Sequence, residues 1–226
     1  LWSIAGNWFF PSALPQNFHL THWQDMTSYV PLLKNSFLLA GGASFAALLA
    51  VLAWSYAVPF SNFTNRWLLG CIFMPFFIPQ ISFLLGMQIS LSRVGLDGTW
   101  LALMWVHIIF ILPYTWLIVI PARRALDHRL DHLAATLGAS WWKRFITLHL
   151  PLMAYPLGTA LFIGIAVSMA LYLPTIFVGA GRINTITVEA VSLASGGSRG
   201  TAGLAAMLQI TIPVASFAII HWGLRL

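Results

Sequence analysis

Long stretches without any charged residue are the feature that most limits what this chain can fold into. A helix needs about 20 residues to cross a bilayer, and a charge near the bilayer centre costs several kcal/mol. Five gaps between consecutive charged residues are long enough, at 35–65, 67–92, 98–122, 145–181 and 200–224. The pattern predicts an all-α membrane helix bundle with spans near 36–58, 68–90, 100–120, 152–174 and 202–224.

The composition excludes an ordinary soluble domain. Hydrophobic residues make up 59% of the chain, charged residues make up 7%, and the mean hydropathy is +0.85. Soluble globular domains carry about 25% charged residues, which cover their surface. The net charge of +6 would favour a nucleic-acid partner in a soluble protein, but here the basic residues lie at the ends of apolar runs. We therefore interpret the charge as a signal of membrane orientation and predict no nucleic-acid partner.

The distribution of lysine and arginine predicts which loops face the cytoplasm, because these residues are enriched there. If the chain has five spans, seven lysine and arginine residues fall on one side of the membrane and four on the other. The richer side has Arg66, Arg123, Arg124, Arg129, Lys143, Arg144 and Arg225, and the other side has Lys34, Arg93, Arg182 and Arg199. The prediction divides the chain into an external or interfacial segment, 1–34, and a transmembrane core, 35–226, with a cytoplasmic loop at 121–150.

Two local patterns refine this division. The external segment contains Trp2, Trp8, Trp23 and Tyr29 with Pro11 and Pro15, which is typical of an irregular segment at the membrane interface, although a loosely ordered stub fits equally well. Small residues are frequent in the first and fourth spans, for example at 40–44 and at Gly158 and Gly164, and they favour close helix packing in lipid. Prolines recur at Pro75, Pro79, Pro113, Pro174 and Pro213, where we expect static kinks.

The cytoplasmic loop is predicted to contain a short amphipathic helix near 127–137. Leu126, Leu130, Leu133, Ala134 and Leu137 recur at helical spacing. Asp127 is suited to cap the start of this helix, and Gly138 stands where a helix end favours a left-handed residue. Pro151 is suited to begin the next helix.

This loop resembles the cytoplasmic signature loop of binding-protein-dependent ABC transporter permeases. In that family the loop has Glu-Ala-Ala, three residues, Gly, then Phe seven residues later and Leu-Pro at its end. Here the matching residues are Ala134, Gly138, Phe145, Leu150 and Pro151. His132 stands where the family has Glu and Leu133 where it has the first Ala. Asp131, one residue earlier, supplies a carboxylate, but it is turned by about 100° around the helix.

The resemblance implies a type I ABC importer permease of a bacterial inner membrane. Its loop, here with Asp131, His132, Leu133, Ala134, Gly138, Phe145, Leu150 and Pro151, would form the coupling helix that sits in a groove on an ATPase subunit. The implied partners are two ATPase subunits, an external substrate-binding protein and a second permease half, which is identical, different or fused. Residues 173–190 resemble a poorly characterised branch beside the thiamine, ferric-iron and polyamine permeases. Family members often have one helix before the core, and Trp2 to Pro15 resembles the stretch that follows it.

The residues themselves also favour an external energy source. None of the five predicted spans contains Asp, Glu, Lys or Arg, whereas ion-coupled transporters usually keep such residues inside the membrane. The chain has no Gly-x4-Gly-Lys-[Ser/Thr] phosphate loop, so we expect it to bind no cofactor itself and ATP to be bound by a partner. An ATP-independent channel or facilitator remains the alternative, and a purely structural membrane subunit comes third.

Few residues are candidates for contact with a solute. Gln80, Gln88 and His107 lie inside predicted spans and could line a substrate path, although hydrogen bonds between helices explain them equally well or better. Ser195 to Arg199 lacks a His or Asp placed to activate a serine, so no catalytic site and no enzyme activity are predicted. The histidines are scattered, so no metal site is predicted.

Overall fold

The computed structural model describes residues 2–6, 12–15, 17–58 and 66–223. Trp8, Pro11 and Arg225, which entered the predictions above, lie outside the described residues, as does the side chain of Arg66. The described part of the chain is helical and contains no strand, only an isolated bridge between Ala5 and Phe18. The predicted all-α class is confirmed.

The helices follow one another with short connections. Their bounds are α1 Thr21–Gln24, a 3-10 turn Met26–Tyr29, α2 Val30–Ala57, α3 Arg66–Phe77, α4 Gln80–Arg93, α5 Trp100–Arg124, α6 His128–Thr136, α7 Trp141–Arg144, a π-helical turn Phe145–His149, α8 Leu150–Ala170, α9 Tyr172–Gly179, α10 Ile186–Ser195 and α11 Arg199–Gly223. By length and composition, four continuous helical stretches can cross a membrane, and a fifth crossing results if α3 and α4 form one span.

The second predicted span, 68–90, is not one helix, so that prediction is wrong. Its two halves are α3 and α4, and the helix axis bends by 109° between them. Pro79 has no N–H to continue the helix and restricts the residue before it, and Pro75 lies in the preceding turn. Leu68 and Phe73 on α3 pack with the C-terminal half of α5, whereas Phe83 on α4 packs with its N-terminal half. The bent pair therefore contacts both halves of α5, and its shape fits either a broken span or a re-entrant loop.

The fourth predicted span, 152–174, also differs from the structure. Helix α8 ends at Ala170, and Leu171 has a non-helical ψ of 75° before α9 begins. The chain then reverses at Ala180 and Gly181, both with positive φ, and returns as α10. Sequence reasoning missed α10, because its 10 residues are too few for a span.

Helices α2, α5 and α8 form the centre of the bundle, where they pack on one another. Their close approach depends on small residues, as predicted. A Cβ atom added to Gly164 of α8 would lie 2.9 Å from Ser44 Cβ on α2 and 3.1 Å from Ile111 Cγ2 on α5. Backbone packing of this kind replaces the hydrophobic effect, which does not act between helices in lipid.

The described part of the N-terminal segment packs against the start of α11. The Trp23 indole N–H donates to the Ser3 carbonyl at 3.2 Å, and the Arg199 guanidinium lies 5.1 Å from the centre of the Trp2 ring. Asn35, at the same end of the bundle, donates to the Asn184 carbonyl at 3.0 Å. This end also holds the α9–α10 turn, and α6 lies at the opposite end.

The close packing at Gly164 gives a stability prediction. We expect Gly164→Ala to destabilise the detergent-solubilised protein by about 1–3 kcal/mol, the usual cost of overpacking a tight contact. The matched control is Gly41→Ala on α2, where an added Cβ meets no atom within 4 Å. Thermal unfolding followed by tryptophan fluorescence measures both. Equal melting temperatures for the two variants would contradict the packing described.

Candidate functional site

The predicted amphipathic helix of the loop exists as α6. Asp127 caps it from an extended backbone, and its carboxylate accepts a hydrogen bond from the Arg129 N–H at 2.8 Å. Gly138 follows the helix with φ of +80°. Its N–H donates to the Ala135 carbonyl at 3.0 Å, so the helix ends where the sequence predicted.

One face of α6 is apolar and is left exposed by the described residues. Leu133 is 60% exposed and Leu137 is 87% exposed, and Leu130, one turn earlier, is 42% exposed. Three leucines at positions i, i+3 and i+7 form one stripe on a helix. His132, where the family has Glu, is exposed beside this stripe. Since exposed apolar stripes of this kind mark contact surfaces, α6 presents a candidate docking face.

The other side of α6 is held by an ionic cluster, which we call the Asp131 cluster: Asp131, Arg144 and His149. Arg144 Nη1 lies 2.7 Å from Asp131 Oδ2, and His149 Nε2 lies 3.0 Å from Asp131 Oδ1. Both oxygens of the Asp131 carboxylate are therefore engaged within the chain. The Asp131 carboxylate is therefore directed towards Arg144 and His149.

An aromatic cluster continues the Asp131 cluster towards α2. The Tyr56 ring stacks on the His149 ring at 5.5 Å and meets the Phe145 ring edge-on at 5.1 Å. Phe145 in turn stacks on Trp141 at 5.4 Å. The Arg123 guanidinium lies over the Tyr56 ring, 4.2 Å from its centre. Phe145, which matches the Phe of the family loop, therefore packs the loop against the end of α2.

The loop continues into the membrane without a break. A π-helical turn, Phe145–His149, leads directly into α8, whose second residue is Pro151. Because the helix continues across this junction, Pro151 does not begin a new helix as predicted; it lacks an N–H for the helical hydrogen bond, and the π-helical turn lies directly before it. Leu150 and Pro151 thus mark the junction between the loop and the span. Trp141–Ala170 is in effect one helix of 30 residues.

The three candidates for a substrate path are not brought together. Gln80 and Gln88 are half-buried on α4, whereas His107 is fully buried on α5. His107 lines a cavity of about 10 Å³ that contains neither glutamine. This volume holds at most one water molecule. The ring of His107 contacts Ser168 and Thr175, an arrangement that favours its interpretation as a hydrogen-bonding residue between helices.

The Asp131 cluster and the aromatic cluster together form what we call the anchoring network. Sequence reasoning missed four of its members: Tyr56, Arg123, Arg144 and His149. Tyr56 lies far from the motif in sequence, and no spacing connects it to the motif. Arg123 and Arg144 lie within the predicted loop but entered only as charges, and no role was predicted for His149. The only available signal was that an aromatic and an arginine end two spans on the side predicted to be cytoplasmic.

Comparison with proteins of known sequence gives consistent relatives. The chain is 37% identical over 187 residues to the inner membrane ABC transporter permease protein YnjC of Escherichia coli (strain K12). The aligned region covers 83% of this chain and 35% of that protein. The chain thus spans about a third of the length of that relative. It is 25% identical over 201 residues to the putative 2-aminoethylphosphonate transport system permease protein PhnV of Salmonella paratyphi A, covering 87% of this chain and 75% of that protein. No family model matches the chain.

The fold agrees with a solved transporter. A bacterial ABC transporter involved in the import of the acidic polysaccharide alginate superimposes with a TM-score of 0.62 and 17% sequence identity, over 92% of this chain and 82% of that chain. Relatives and fold agree with the motif in the loop. The chain is therefore similar in sequence to ABC transporter permeases and similar in fold to a solved ABC transporter, and its apolar helices fit a multi-pass membrane protein.

Proposed function

We propose that the chain is the membrane-spanning part of an ATP-driven importer in a bacterial inner membrane. It would form the pathway with a second permease half and receive a small solute from an external binding protein. ATP would be bound and hydrolysed by separate ATPase subunits. The proposal is supported by the relatives, one of which is named an inner membrane permease, and by the absence of charged residues from the central spans.

The observation that carries this proposal is the exposed leucine face of α6. Leu133 and Leu137 would cost free energy in water, at about 25 cal/mol per Å² of apolar surface, unless a partner covers them. In the proposed complex this face docks into a groove on an ATPase subunit. Exposed His132, which replaces the family Glu, would lie at the edge of that contact.

The Asp131 cluster has a defined role in this proposal. A docking helix can transmit a displacement only if it is fixed to the elements that move. Asp131 joins α6 to Arg144 and His149, which directly precede α8, and Phe145 and Tyr56 join the same junction to α2. Movement of α6 would therefore displace α8 and α2 together.

Charge on the leucine face should abolish docking. We expect Leu133→Glu combined with Leu137→Glu to prevent co-purification of the ATPase subunit from native membranes and to abolish ATP hydrolysis by the isolated complex. Two carboxylates in an apolar contact lose hydration without gaining a partner, which costs several kcal/mol.

The matched control is Leu133→Met with Leu137→Met, which keeps the apolar surface and nearly the same volume. This variant should retain the ATPase subunit and its hydrolysis. Retention of an active ATPase by the glutamate variant would contradict docking through α6, and ATP-independent solute flux would then favour a facilitator.

Neutralising Asp131 should uncouple the loop without preventing docking. We expect Asp131→Asn to retain the ATPase subunit but to reduce solute-stimulated ATP hydrolysis. The partly exposed, charge-assisted contacts of Asp131 contribute about 1–2 kcal/mol, which corresponds to a roughly 5–30-fold change in the population of anchored α6. Trypsin should also cleave the loop faster at Arg129 and Lys143.

Asp127→Asn is the control for this change. It makes the same substitution on the same helix, and Asn caps helices as well as Asp does. Hydrolysis and trypsin cleavage should stay unchanged in this variant. Equal behaviour of the two variants would show that the Asp131 cluster does not anchor α6.

A further inference from the structure

His107 connects the two sides of a break in a membrane-spanning segment. Helix α8 stops at Ala170 and α9 starts at Tyr172. Ser168 belongs to the last turn of α8, and Thr175 belongs to the first turn of α9. His107, from α5, lies 2.7 Å from Ser168 Oγ through Nδ1 and 3.2 Å from Thr175 Oγ1 through Nε2.

The hydrogen bonds define which nitrogen of His107 carries the proton. The Thr175 hydroxyl donates to the Leu171 carbonyl at 2.6 Å, so its oxygen is left to accept. The N–H of His107 must therefore be on Nε2, and Nδ1 accepts from the Ser168 hydroxyl. All three polar groups are satisfied, and the ring is neutral in this arrangement. His107 thus holds α8 and α9 at once, with one donor and one acceptor.

Two further helices contact the same break. The carbonyl of Met169 accepts from Thr187 Oγ1 of α10 at 2.8 Å and from Gln209 Nε2 of α11 at 3.0 Å. Ser36 of α2 accepts from the Ile186 N–H at 2.9 Å, at the start of α10. The break is therefore fixed to α5, α10 and α11, and α10 is fixed to α2. Hydrogen-bond partners from neighbouring helices are what a broken helix requires in lipid.

The position of the break relative to the coupling loop gives it a function. Trp141–Ala170 connects the anchoring network at one end of the bundle to the break near the other end. On the proposed function, on which this inference rests, the coupling loop displaces α8. We propose that His107 is a positioning residue for transport, which fixes the angle between α8 and α9 so that displacement of α8 also moves the α9–α10 segment.

The experiment follows the accessibility of α10 in the complex with its ATPase subunits. Exposed Cys71 is replaced by Ser, and Val191, which is 39% exposed on α10, is replaced by Cys. A water-soluble maleimide then labels position 191 with and without a non-hydrolysable ATP analogue. We expect the analogue to change the labelling rate in the parent chain and this difference to be lost in His107→Leu.

Three variants separate positioning from general stability. Thr115→Val removes another buried hydroxyl of α5, which donates to the Ile111 carbonyl of its own helix, and should keep the difference. His107→Gln retains a donor and an acceptor and should restore part of it. Ser168→Ala deletes the α8 partner alone and should reproduce the loss, even if His107→Leu does not fold. A single hydrogen bond between membrane helices contributes little to stability on average, so these variants are expected to fold.

Each outcome decides the inference. A nucleotide-dependent difference that persists in both His107→Leu and Ser168→Ala overturns it. If an active ATPase is bound but the parent chain shows no difference, the inference fails while the proposed function stands. If no ATPase is bound to the parent chain, the proposed function fails first and the inference falls with it. Loss in His107→Leu and Ser168→Ala, with retention in Thr115→Val, supports it.

Discussion

Satisfaction of backbone carbonyls inside lipid is the constraint on which the described architecture depends. A helix in a membrane satisfies its own polar groups, and any break leaves carbonyls that only protein can satisfy. The break after Ala170 is possible because Thr187 and Gln209 donate to the Met169 carbonyl in the last turn of α8. Hydroxyl and amide groups near the break therefore hold the α9–α10 segment, which is not a membrane-spanning helix.

The two ends of Trp141–Ala170 are fixed by different chemistry because their surroundings differ. At the loop, Asp131 and Arg144 are partly exposed, so their charges keep some hydration while they pair. At the break, the groups are neutral: a histidine, hydroxyls and an amide. A charge pair there would lose its hydration entirely, and its attraction would seldom offset that loss. Electrostatics hold the chain where water is near, and neutral hydrogen bonds hold it where water is absent.

The sequence predicted the features that depend on local pattern. The absence of charge from long stretches located the spans, and Asp127 and Gly138 located the ends of α6, because capping and positive φ are properties of single residues. The break at Pro79 could be expected in position but not in angle, since proline permits anything from a mild kink to a sharp turn. The break at Leu171 has no proline at the break itself. Pro174 lies one turn later, and in a continuous helix it would clash with the Ala170 carbonyl, where α8 ends. The sequence does not show the donors from α10 and α11 that satisfy the freed Met169 carbonyl, because they are distant along the chain.

In the candidate site, too, some residues could be predicted from local sequence pattern and others could not. The leucine stripe of α6 is periodic and could be predicted, whereas Tyr56 and Arg123 join the loop only through the packing of α2 and α5 beside it. Asp131 shows why the motif alone is insufficient. Its displacement by about 100° from the family position predicted a different direction, and the structure gives that direction a partner in Arg144. The carboxylate that could have contacted another subunit instead orients α6 within its own chain.

The length of the central helix connects these two parts of the molecule. Thirty residues of helix, from Trp141 to Ala170, extend about 45 Å at 1.5 Å per residue. Over that length a helix transmits displacement only if its neighbours permit it to move as a unit, and close packing at Gly164 against α2 and α5 restricts the three helices to moving together. If the loop were displaced, α2, α5 and α8 would then have little freedom to move relative to one another. At the break at Leu171 the backbone leaves the helical conformation, and His107 is a side chain that contacts both sides of this break.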